Sequence, residues 1–201
     1  MPAKNSVKQY DTNAYYHVYN RGTGKQPIFL DAQDKRKFLS LLARHLDADS
    51  ELVRGDGRTY ETYELELVAF CLMKNHFHLL LYQLDDIEAV TKLLRSVSTA
   101  YTMYFNFRYK RQGGLFQGIF KASKIQNESY LEHISRYIHL NPRTYKTYAW
   151  SSLAEFVGRR STSWVHPERI LDMTPEQYLF FLEDYEERRE LIDTIKHELA
   201  I

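Results

Sequence analysis

The sequence predicts an α+β fold in which helices pack on an antiparallel β-sheet. The 201 residues are 44% hydrophobic, 26% charged and 14% aromatic, a composition typical of a globular protein with a full core. Short segments of aromatic and β-branched residues, typical of strands, lie between longer segments with apolar residues at helical spacing. Glycines and polar runs separate these segments. The elements are predicted in the order β-α-β-β-α-β-α.

The first three elements are a strand, a helix and a loop. Residues 15–20 (YYHVYN) have strand-forming side chains and end before Gly22. Asp31 is expected to cap a helix that extends to Leu46, because apolar residues recur at helical spacing within it. Residues 47–58 are polar, contain two glycines and are predicted to form a loop.

A hairpin and a second helix are predicted next. Residues 63–73 (YELELVAFCLM) begin with alternation and end as an apolar run, which is the pattern of a strand that enters a core. Residues 76–82 (HFHLLLY) are predicted to return beside them after a turn at Lys74-Asn75. Asp85 is expected to cap the following helix.

The last core elements are the body of that helix, a strand and one more helix. Apolar residues at helical spacing occupy residues 87–104, and Gly113 ends the pattern. Residues 115–125 are predicted to form the fourth strand, and Asn127 is expected to cap a helix that Pro142 terminates. The complete order predicts a ferredoxin-like split βαβ sheet with one added helix.

Two units are expected along the chain. Residues 1–142 hold the predicted sheet and its helices, and residues 143–201 form a mainly helical C-terminal extension with a helical segment from Pro175 onward. Cys71 is the only cysteine, which excludes an intramolecular disulfide and a cysteine-cluster zinc site. No signal-peptide pattern and no run of about 18 uncharged apolar residues occurs, so we expect a cytoplasmic protein without membrane contact.

The formal net charge of +1 conceals an uneven distribution. No aspartate or glutamate occurs from residue 89 to residue 127, and aromatic residues are interleaved with cations near the middle of this stretch. Cations suit phosphates and flat rings suit unstacked bases, which is typical of a single-stranded nucleic-acid site. A basic amphipathic helix whose aromatic residues enter the core explains the same pattern. The cations are Lys92, Arg95, Arg108, Lys110, Arg111, Lys121 and Lys124.

Two groups of residues are candidates for a chemical site. His76 and His78 are two apart on a predicted strand, so both imidazoles project from one face and can share a divalent ion. Hydrogen-bonded core histidines give the same spacing. His133, Tyr137 and Asn141 are four residues apart on the last predicted helix. An Asn141 oxygen suits Mg²⁺ or Mn²⁺, and a Tyr137 hydroxyl is able to attack an electrophile. The alternatives are a packing tyrosine and a helix-ending asparagine.

Five stretches of the chain form an ordered set of motifs: HVYNRGTGKQPIF, DKRKFLSLL, FCLMKNHFHLLL, YFNFRYKRQGGLFQGIFKA and YLEHISRYIHLNP. Together they resemble the single-tyrosine HUH transposases, and more narrowly the REP-associated tyrosine transposase branch of the insertion-sequence-200-like family. The resemblance extends over residues 17–142. It implies a ferredoxin-like sheet, in agreement with the predicted order of elements. It also implies an enzyme that cuts and rejoins single-stranded DNA, usually beside a hairpin.

The resemblance implies a role for each candidate. His76 and His78 correspond to the HUH pair of metal ligands, and Asn141 takes the position of the third ligand. Mg²⁺ or Mn²⁺ is the implied cofactor. Tyr137 corresponds to the nucleophile, whose attack leaves a 5′-phosphotyrosine enzyme and a free 3′-hydroxyl. Tyr130, seven residues earlier, is the alternative nucleophile.

Further residues are expected to bind DNA. Arg21 belongs to an early family motif together with His17 and Asn20, and a DNA contact is expected for it. Gln117 and Lys121 in LFQGIFKA are expected to contact the DNA backbone, as are the cations of the acid-free stretch. The alternatives are a strand-end salt bridge for Arg21 and solvent-facing positions on an edge strand for the other two.

Two departures from the family pattern occur. Lys74 stands where the family usually has a proline before Asn75-His76. The sequence RTYKTYAW follows Pro142 in place of a segment rich in Val, Arg, Ala and Gly. Neither change affects a candidate ligand or nucleophile, so a metal-dependent single-stranded DNA endonuclease and strand transferase remains the leading prediction.

Two other functions and one question of assembly stay open at this point. A domesticated hairpin-binding protein with little or no turnover would not require both histidines, the tyrosine and the asparagine. A small-molecule metalloprotein that uses only the histidine pair leaves the acid-free stretch without a role. A homodimer, in which Tyr137 acts in its own subunit or is exchanged with a partner, is compatible with the sequence.

Overall fold

The computed structural model describes residues 10–47, 52–53, 55–127 and 130–184. The four strands are Ala14–Arg21 (β1), Leu65–Leu72 (β2), His76–Gln83 (β3) and Lys121–Lys124 (β4). The helices are Ala32–Leu46 (α1), Ala89–Tyr109 (α2), Leu131–His139 (α3), Leu153–Phe156 (α4) and Pro175–Glu183 (α5). None of the described helices has the length and apolar character needed to cross a lipid bilayer.

The four strands form one antiparallel sheet in the order β2-β3-β1-β4. β1 pairs with β3 over its whole length, from Ala14 opposite Gln83 to Arg21 opposite His76. α1 connects β1 to β2, and α2 connects β3 to β4, which is the ferredoxin-like split βαβ arrangement. The predicted fold class is therefore confirmed, with α3 as the added helix.

Helices cover both faces of the sheet. Alternate side chains of a strand point to opposite faces, so Tyr16 and Val18 of β1 pack with α1 and α2, whereas Tyr15 packs with α3. Apolar residues of α4 and α5 complete the core on the α3 face, whereas Trp150, Trp164 and Val165 pack with the core on the other face. The described part of the extension therefore contributes to the cores on both faces of the sheet. The division into two units at residue 142 stays a prediction.

The fourth strand is shorter than predicted. The sequence predicts a strand over residues 115–125, but only Lys121–Lys124 form β4. A bend at Gly118, which has a positive φ of 69°, separates β4 from Phe116, and Phe116 forms a single bridge with Gly22. The predicted strand is therefore one bridge and one short strand joined by a bend.

Helix α2 also begins later than predicted. Its first residue is Ala89, and Asp85 does not cap it. The side chain of Gln83 at the end of β3 accepts a hydrogen bond from the Val90 N–H at 3.2 Å instead. A side chain supplied by the preceding strand therefore satisfies part of the first turn, which a local capping pattern does not show.

The predicted cap of α1 is confirmed, whereas the predicted cap of α3 is not. Asp31 caps α1 as predicted, because its carboxylate accepts hydrogen bonds from the N–H groups of Gln33 and Asp34. α3 begins at Leu131, four residues after the predicted cap at Asn127. The helix therefore begins later than the sequence pattern indicates, and Asn127 is not the residue that directly precedes it.

A buried chain of hydrogen bonds joins the extension to α3. The hydroxyl of Tyr178 on α5 lies 2.8 Å from both Ser135 Oγ and His139 Nδ1 on α3. His139 Nε2 lies 2.8 Å from Ser152 Oγ, which accepts a hydrogen bond from the Phe70 N–H of β2 at 2.8 Å. All of these side chains are buried. The network fixes α3 between the sheet and α5, and so fixes the residues that α3 carries.

The stability of this arrangement is expected to fall in acid. Burial lowers the pKa of His139 to about 3, from an ordinary value of 6.5 in an unfolded chain. Below pH 6.5 the unfolded chain binds a proton that the folded protein excludes, so acid favours unfolding. The free energy of unfolding should fall by about 1.4 kcal/mol per pH unit for this group, from its unfolded pKa down to its folded one.

Urea unfolding near neutral pH and in mild acid measures this effect. His139→Gln is expected to be less stable than the natural chain near neutral pH, because it loses part of the buried network. It should also lose less stability on acidification, because the variant removes one buried histidine. An identical acid dependence for the two proteins would contradict the assignment.

Candidate active site

The predicted histidine pair and the predicted tyrosine meet on the α3 face of the sheet, within one chain. The ring centroids of His78 and Tyr137 are 5.5 Å apart, and the ring planes lie at 82°, an edge-to-face contact. His17 of β1 contacts the Tyr137 ring in the same way at 6.2 Å. Tyr130 lies at the start of α3, where it is partly buried and packs against the core of that face. In the described residues it has no ring contact with His76 or His78.

Asn141 lies just beyond the end of α3 and faces His76. Its side-chain N–H donates to the carbonyl of Tyr137 at 3.1 Å, which directs Oδ1 toward His76 Nε2 at 3.3 Å. His76 Nδ1 lies 2.7 Å from Asn75 Oδ1 and donates to it, because an amide oxygen only accepts. Burial lowers the pKa of His76, so its ring is neutral at pH 7. The Nε2 lone pair and Asn141 Oδ1 then face each other, which favours a cation between them.

His78 is supported by two residues of β1. His78 Nδ1 lies 3.0 Å from His17 Nε2, and the two rings stack with centroids 5.1 Å apart. Tyr19 stacks on His78 at 5.9 Å. Burial lowers the pKa of His17 to about 3 and holds the pKa of His78 well below 6.5. Both rings are therefore neutral at pH 7, which is the form that binds a metal ion.

The donor atoms at this position fit a divalent cation. His76 Nε2 lies 3.3 Å from Asn141 Oδ1, and the ring centroids of His76 and His78 are 5.0 Å apart, so two neutral imidazoles and one amide oxygen are neighbours. Among the described residues, no group of three or more His, Cys, Asp or Glu side chains is arranged to hold a metal ion. A three-ligand site therefore depends on the Asn141 oxygen, a type of donor that Mg²⁺ and Mn²⁺ accept. Nδ1 of His17, behind His78, is buried without a hydrogen-bond partner in the described part of the chain.

Three predicted DNA contacts lie beside this site. Arg21 is opposite His76 at the end of β1, and Lys121 of β4 is opposite Tyr19, so these side chains share the face of the site. Lys121 Nζ lies 5.9 Å from the centroid of the Tyr19 ring. Arg21 Nε donates to Gln117 Oε1 at 2.7 Å. The fold therefore groups Arg21, Gln117 and Lys121 at one end of the histidine pair.

The other predicted DNA contacts lie elsewhere. Lys124 of β4 is opposite Tyr16, so it points to the face covered by α1 and α2, where it pairs with Asp11 at 2.8 Å. Helix α2 packs on that same face, away from Tyr137. The cations on α2 or directly after it are Lys92, Arg95, Arg108, Lys110 and Arg111. Their part in DNA binding stays a prediction.

Carboxylates from other segments neutralise two of these cations. Lys92 pairs with Asp86 at 2.8 Å. Arg108 pairs with Asp31 at 2.5 Å and with the buried Asp34 at 2.6 Å. These ion pairs tie the two ends of α2 to the preceding loop and to the start of α1. Part of the positive charge in the acid-free stretch therefore has a structural role.

The contacts of His17 and Tyr19 with His78 were missed by sequence reasoning. The alternation of residues 15–20 indicates that these two side chains share a face of their strand. Only the antiparallel register, with Tyr19 opposite His78, shows that this is also the face of the histidine pair. The alternation of residues 15–20 shows that His17 and Tyr19 share a face, but it does not show which strand pairs with theirs.

Two of the sequence motifs, the one that contains Arg21 and the one that contains Gln117, are hydrogen-bonded to each other at the end of the sheet next to His76. Arg21 and Gln117 are joined twice, since the Gln117 N–H donates to the Arg21 carbonyl at 2.7 Å in addition to their side-chain hydrogen bond. The flanking residues follow the same pairing. The three pairs are Asn20 with Gly118, Arg21 with Gln117, and Gly22 with Phe116.

Gly22→Ala is expected to destabilise this junction. A Cβ atom at residue 22 would lie 2.1 Å from the backbone oxygen of Gln26, so the backbone has to shift. The expected cost is about 1–3 kcal/mol in the free energy of unfolding. Gly114→Ala is the matched control, because a Cβ there meets no heavy atom within 4 Å. Chemical unfolding of both variants measures the difference, and equal stability would contradict the steric argument.

Comparison with known families and proteins gives one clear match at the sequence level. A model of the family described as "Transposase IS200 like" matches residues 12–141, which is more than half of the chain. The matched region contains every strand of the sheet and extends to Asn141. A search of curated proteins found no match.

The solved structures that are similar to this chain include two transposases. The structure of a REP-associated tyrosine transposase bound to a REP hairpin has a TM-score of 0.56 and 14% sequence identity, over 84% of this chain and 94% of that chain. A putative transposase from Deinococcus radiodurans R1 has a TM-score of 0.42 and 16% identity, over 66% of this chain and 94% of that chain. The first of these shows a shared fold. The family match and the shared fold confirm the family predicted from the motifs: the chain belongs to the IS200-like transposases.

Proposed function

We propose that this protein is a metal-dependent single-stranded DNA endonuclease and strand transferase that acts beside DNA hairpins. Membership of a transposase family indicates a DNA-processing enzyme. The observation that carries the finer proposal is the convergence of three groups. The Tyr137 ring contacts His78 at 5.5 Å, and the Asn141 oxygen lies 3.3 Å from His76 Nε2. The proposed nucleophile and the proposed metal ligands therefore lie side by side in one chain.

Tyr137 supplies the attacking oxygen in the proposed reaction. Its phenol loses a proton to solvent, and the phenolate attacks the phosphorus in line with the 3′ oxygen of the preceding nucleotide. A bond forms between the Tyr137 oxygen and phosphorus, the bond from phosphorus to the 3′ oxygen breaks, and that oxygen takes a proton from solvent. The products are a 5′-phosphotyrosine and a free 3′-hydroxyl. A 3′-hydroxyl reverses the step and rejoins DNA, so the reaction needs no ATP.

His76, His78 and Asn141 are the proposed metal ligands. Mg²⁺ or Mn²⁺ at this position would polarise the scissile phosphate and compensate its developing charge. The two histidines are suited to this role because burial keeps both imidazoles neutral at pH 7. Asn75 and His17 bond to the Nδ1 atoms of the two rings. The Nε2 atoms are then the donors left for the ion.

Hairpin DNA is the proposed substrate. The REP-associated tyrosine transposase that shares this fold is described as bound to a REP hairpin, which supports this substrate class for the present chain. Arg21 and Lys121 supply positive charge at one end of the histidine pair. Phosphate groups of a strand that crosses Tyr137 would lie within reach of these cations.

A covalent-adduct experiment tests the proposed function. The protein is incubated with a labelled oligonucleotide that carries a hairpin and a single-stranded flank, with Mg²⁺ or Mn²⁺. The expected result is a DNA-linked protein band on a denaturing gel, with mass spectrometry placing the DNA on the peptide that contains Tyr137. Tight hairpin binding that needs no metal and gives neither cleavage nor an adduct would contradict the proposal. It would favour a binding protein without turnover.

A further inference from the structure

Arg21 differs from the arginines of the described residues that pair with a carboxylate. Its side chain is exposed on the face of the site, opposite His76. In the described part of the chain, no carboxylate lies within salt-bridge distance of it, so the strand-end salt bridge considered from the sequence does not form there. Arginines that do pair with a carboxylate are Arg108, Arg160 and Arg169.

Gln117 holds Arg21 without neutralising it. The amide oxygen of Gln117 accepts one hydrogen bond from Nε, and it carries no net charge. The two terminal nitrogens of the guanidinium make no hydrogen bond to the described residues, and these nitrogens form the fork that binds phosphate. Gln117 is itself fixed, because its N–H donates to the Arg21 carbonyl and the adjacent Gly118 carbonyl accepts from Asn20. The cation is therefore oriented, and among the described residues it has no anionic partner.

We propose that Arg21 is a catalytic residue that contacts a non-bridging oxygen of the scissile phosphate, and that Gln117 is the positioning residue that orients it. This inference rests on the proposed function, because it concerns the phosphate that Tyr137 attacks. Negative charge on the non-bridging oxygens increases as the Tyr137 oxygen bonds to phosphorus. A pre-oriented cation stabilises that charge more than it stabilises bound substrate. Arg21 therefore acts on the rate of cleavage, and Gln117 acts through Arg21 rather than through DNA.

Single-turnover cleavage and hairpin binding, measured separately, test the role of Arg21. Arg21→Ala is expected to lower the rate constant about 10²–10³-fold, as for removal of one preorganised donor. Hairpin affinity should change little. Arg21→Lys keeps the charge but not the fork, and is expected to recover part of the rate. Arg36→Ala, which removes an exposed arginine of α1 on the opposite side of the sheet, is the matched control with unchanged rate.

A neutral substrate separates a catalytic contact from a structural one. A methylphosphonate at the scissile position replaces one non-bridging oxygen with an uncharged methyl group, so the cation has less charge to stabilise. The rate difference between the natural chain and Arg21→Ala is expected to shrink on this substrate. A residue that only maintains the fold would show the same difference on both substrates.

A double-variant comparison tests Gln117. Gln117→Ala is expected to slow cleavage less than Arg21→Ala does, and the double variant should be no slower than Arg21→Ala alone. Weaker hairpin binding and additive effects would instead indicate a direct DNA contact by Gln117.

Two results would overturn the proposal for Arg21: wild-type cleavage rates in Arg21→Ala, or a loss of hairpin affinity that accounts for the whole loss of rate. Absence of an adduct in the natural chain would contradict the proposed function itself, which is a separate outcome.

Discussion

Replacement of Tyr137 by phenylalanine is expected to abolish the covalent protein–DNA adduct and to slow cleavage by about 10⁴-fold or more. Phenylalanine lacks the oxygen that is proposed to bond to phosphorus, but it keeps the ring that packs against His78 and His17. The free energy of unfolding should therefore remain within about 1 kcal/mol of the natural value. Denaturing gels with a labelled hairpin oligonucleotide measure the adduct, and urea unfolding measures the stability.

Tyr130→Phe is the variant that distinguishes the two candidate nucleophiles. Tyr130 is partly buried at the start of α3, and it has no ring contact with the histidine pair in the described residues. We expect this variant to keep the adduct. An adduct that persists in Tyr137→Phe and disappears in Tyr130→Phe would exchange the two assignments and would require a rearrangement of α3.

The order of the elements was predictable because local patterns determine it. Alternation in residues 15–20 and the apolar run in residues 63–73 each reflect how one strand meets a core, and neither needs a partner to be recognised. Spacing also placed His76 and His78 on one face. Spacing over-extended α3, however: the helix ends at His139, and His133 bonds to Arg136 and contacts Phe181 instead of facing the site. A helical period does not show where a helix stops.

The distribution of charge was less predictable, because it depends on partners that are distant in the chain. The stretch from residue 89 to residue 127 has no acid of its own, yet acids from outside it pair with Arg108 and Lys124. The sheet also divides the stretch, since α2 lies on one face and Lys121 points to the other. A count of charges along a sequence shows neither which acids pair with these cations nor which face of the sheet each cation occupies.

The second large effect is expected from removal of the proposed metal ligands. His76→Ala should lower the affinity for Mn²⁺ and reduce cleavage about 10³-fold, which corresponds to the several kcal/mol that a catalytic ion contributes. His76 is suited to this test because it is only partly buried at the start of β3, whereas removal of the buried His78 would also leave His17 without its hydrogen bond. Calorimetric titration with Mn²⁺ measures binding, and single-turnover assays measure cleavage.

Asn141 supplies the matched pair of variants for this prediction. Asn141→Asp keeps an oxygen that is able to face His76 Nε2, so Mn²⁺ binding should persist. Asn141→Leu has a similar volume without an oxygen, so binding should fall as it does in His76→Ala. A chelator should stop cleavage by the natural chain, and added Mn²⁺ should restore it. Cleavage that continues at full rate in the chelator would mean that Tyr137 acts without a cation, and that the acceptor pair formed by His76 and Asn141 has only a structural role.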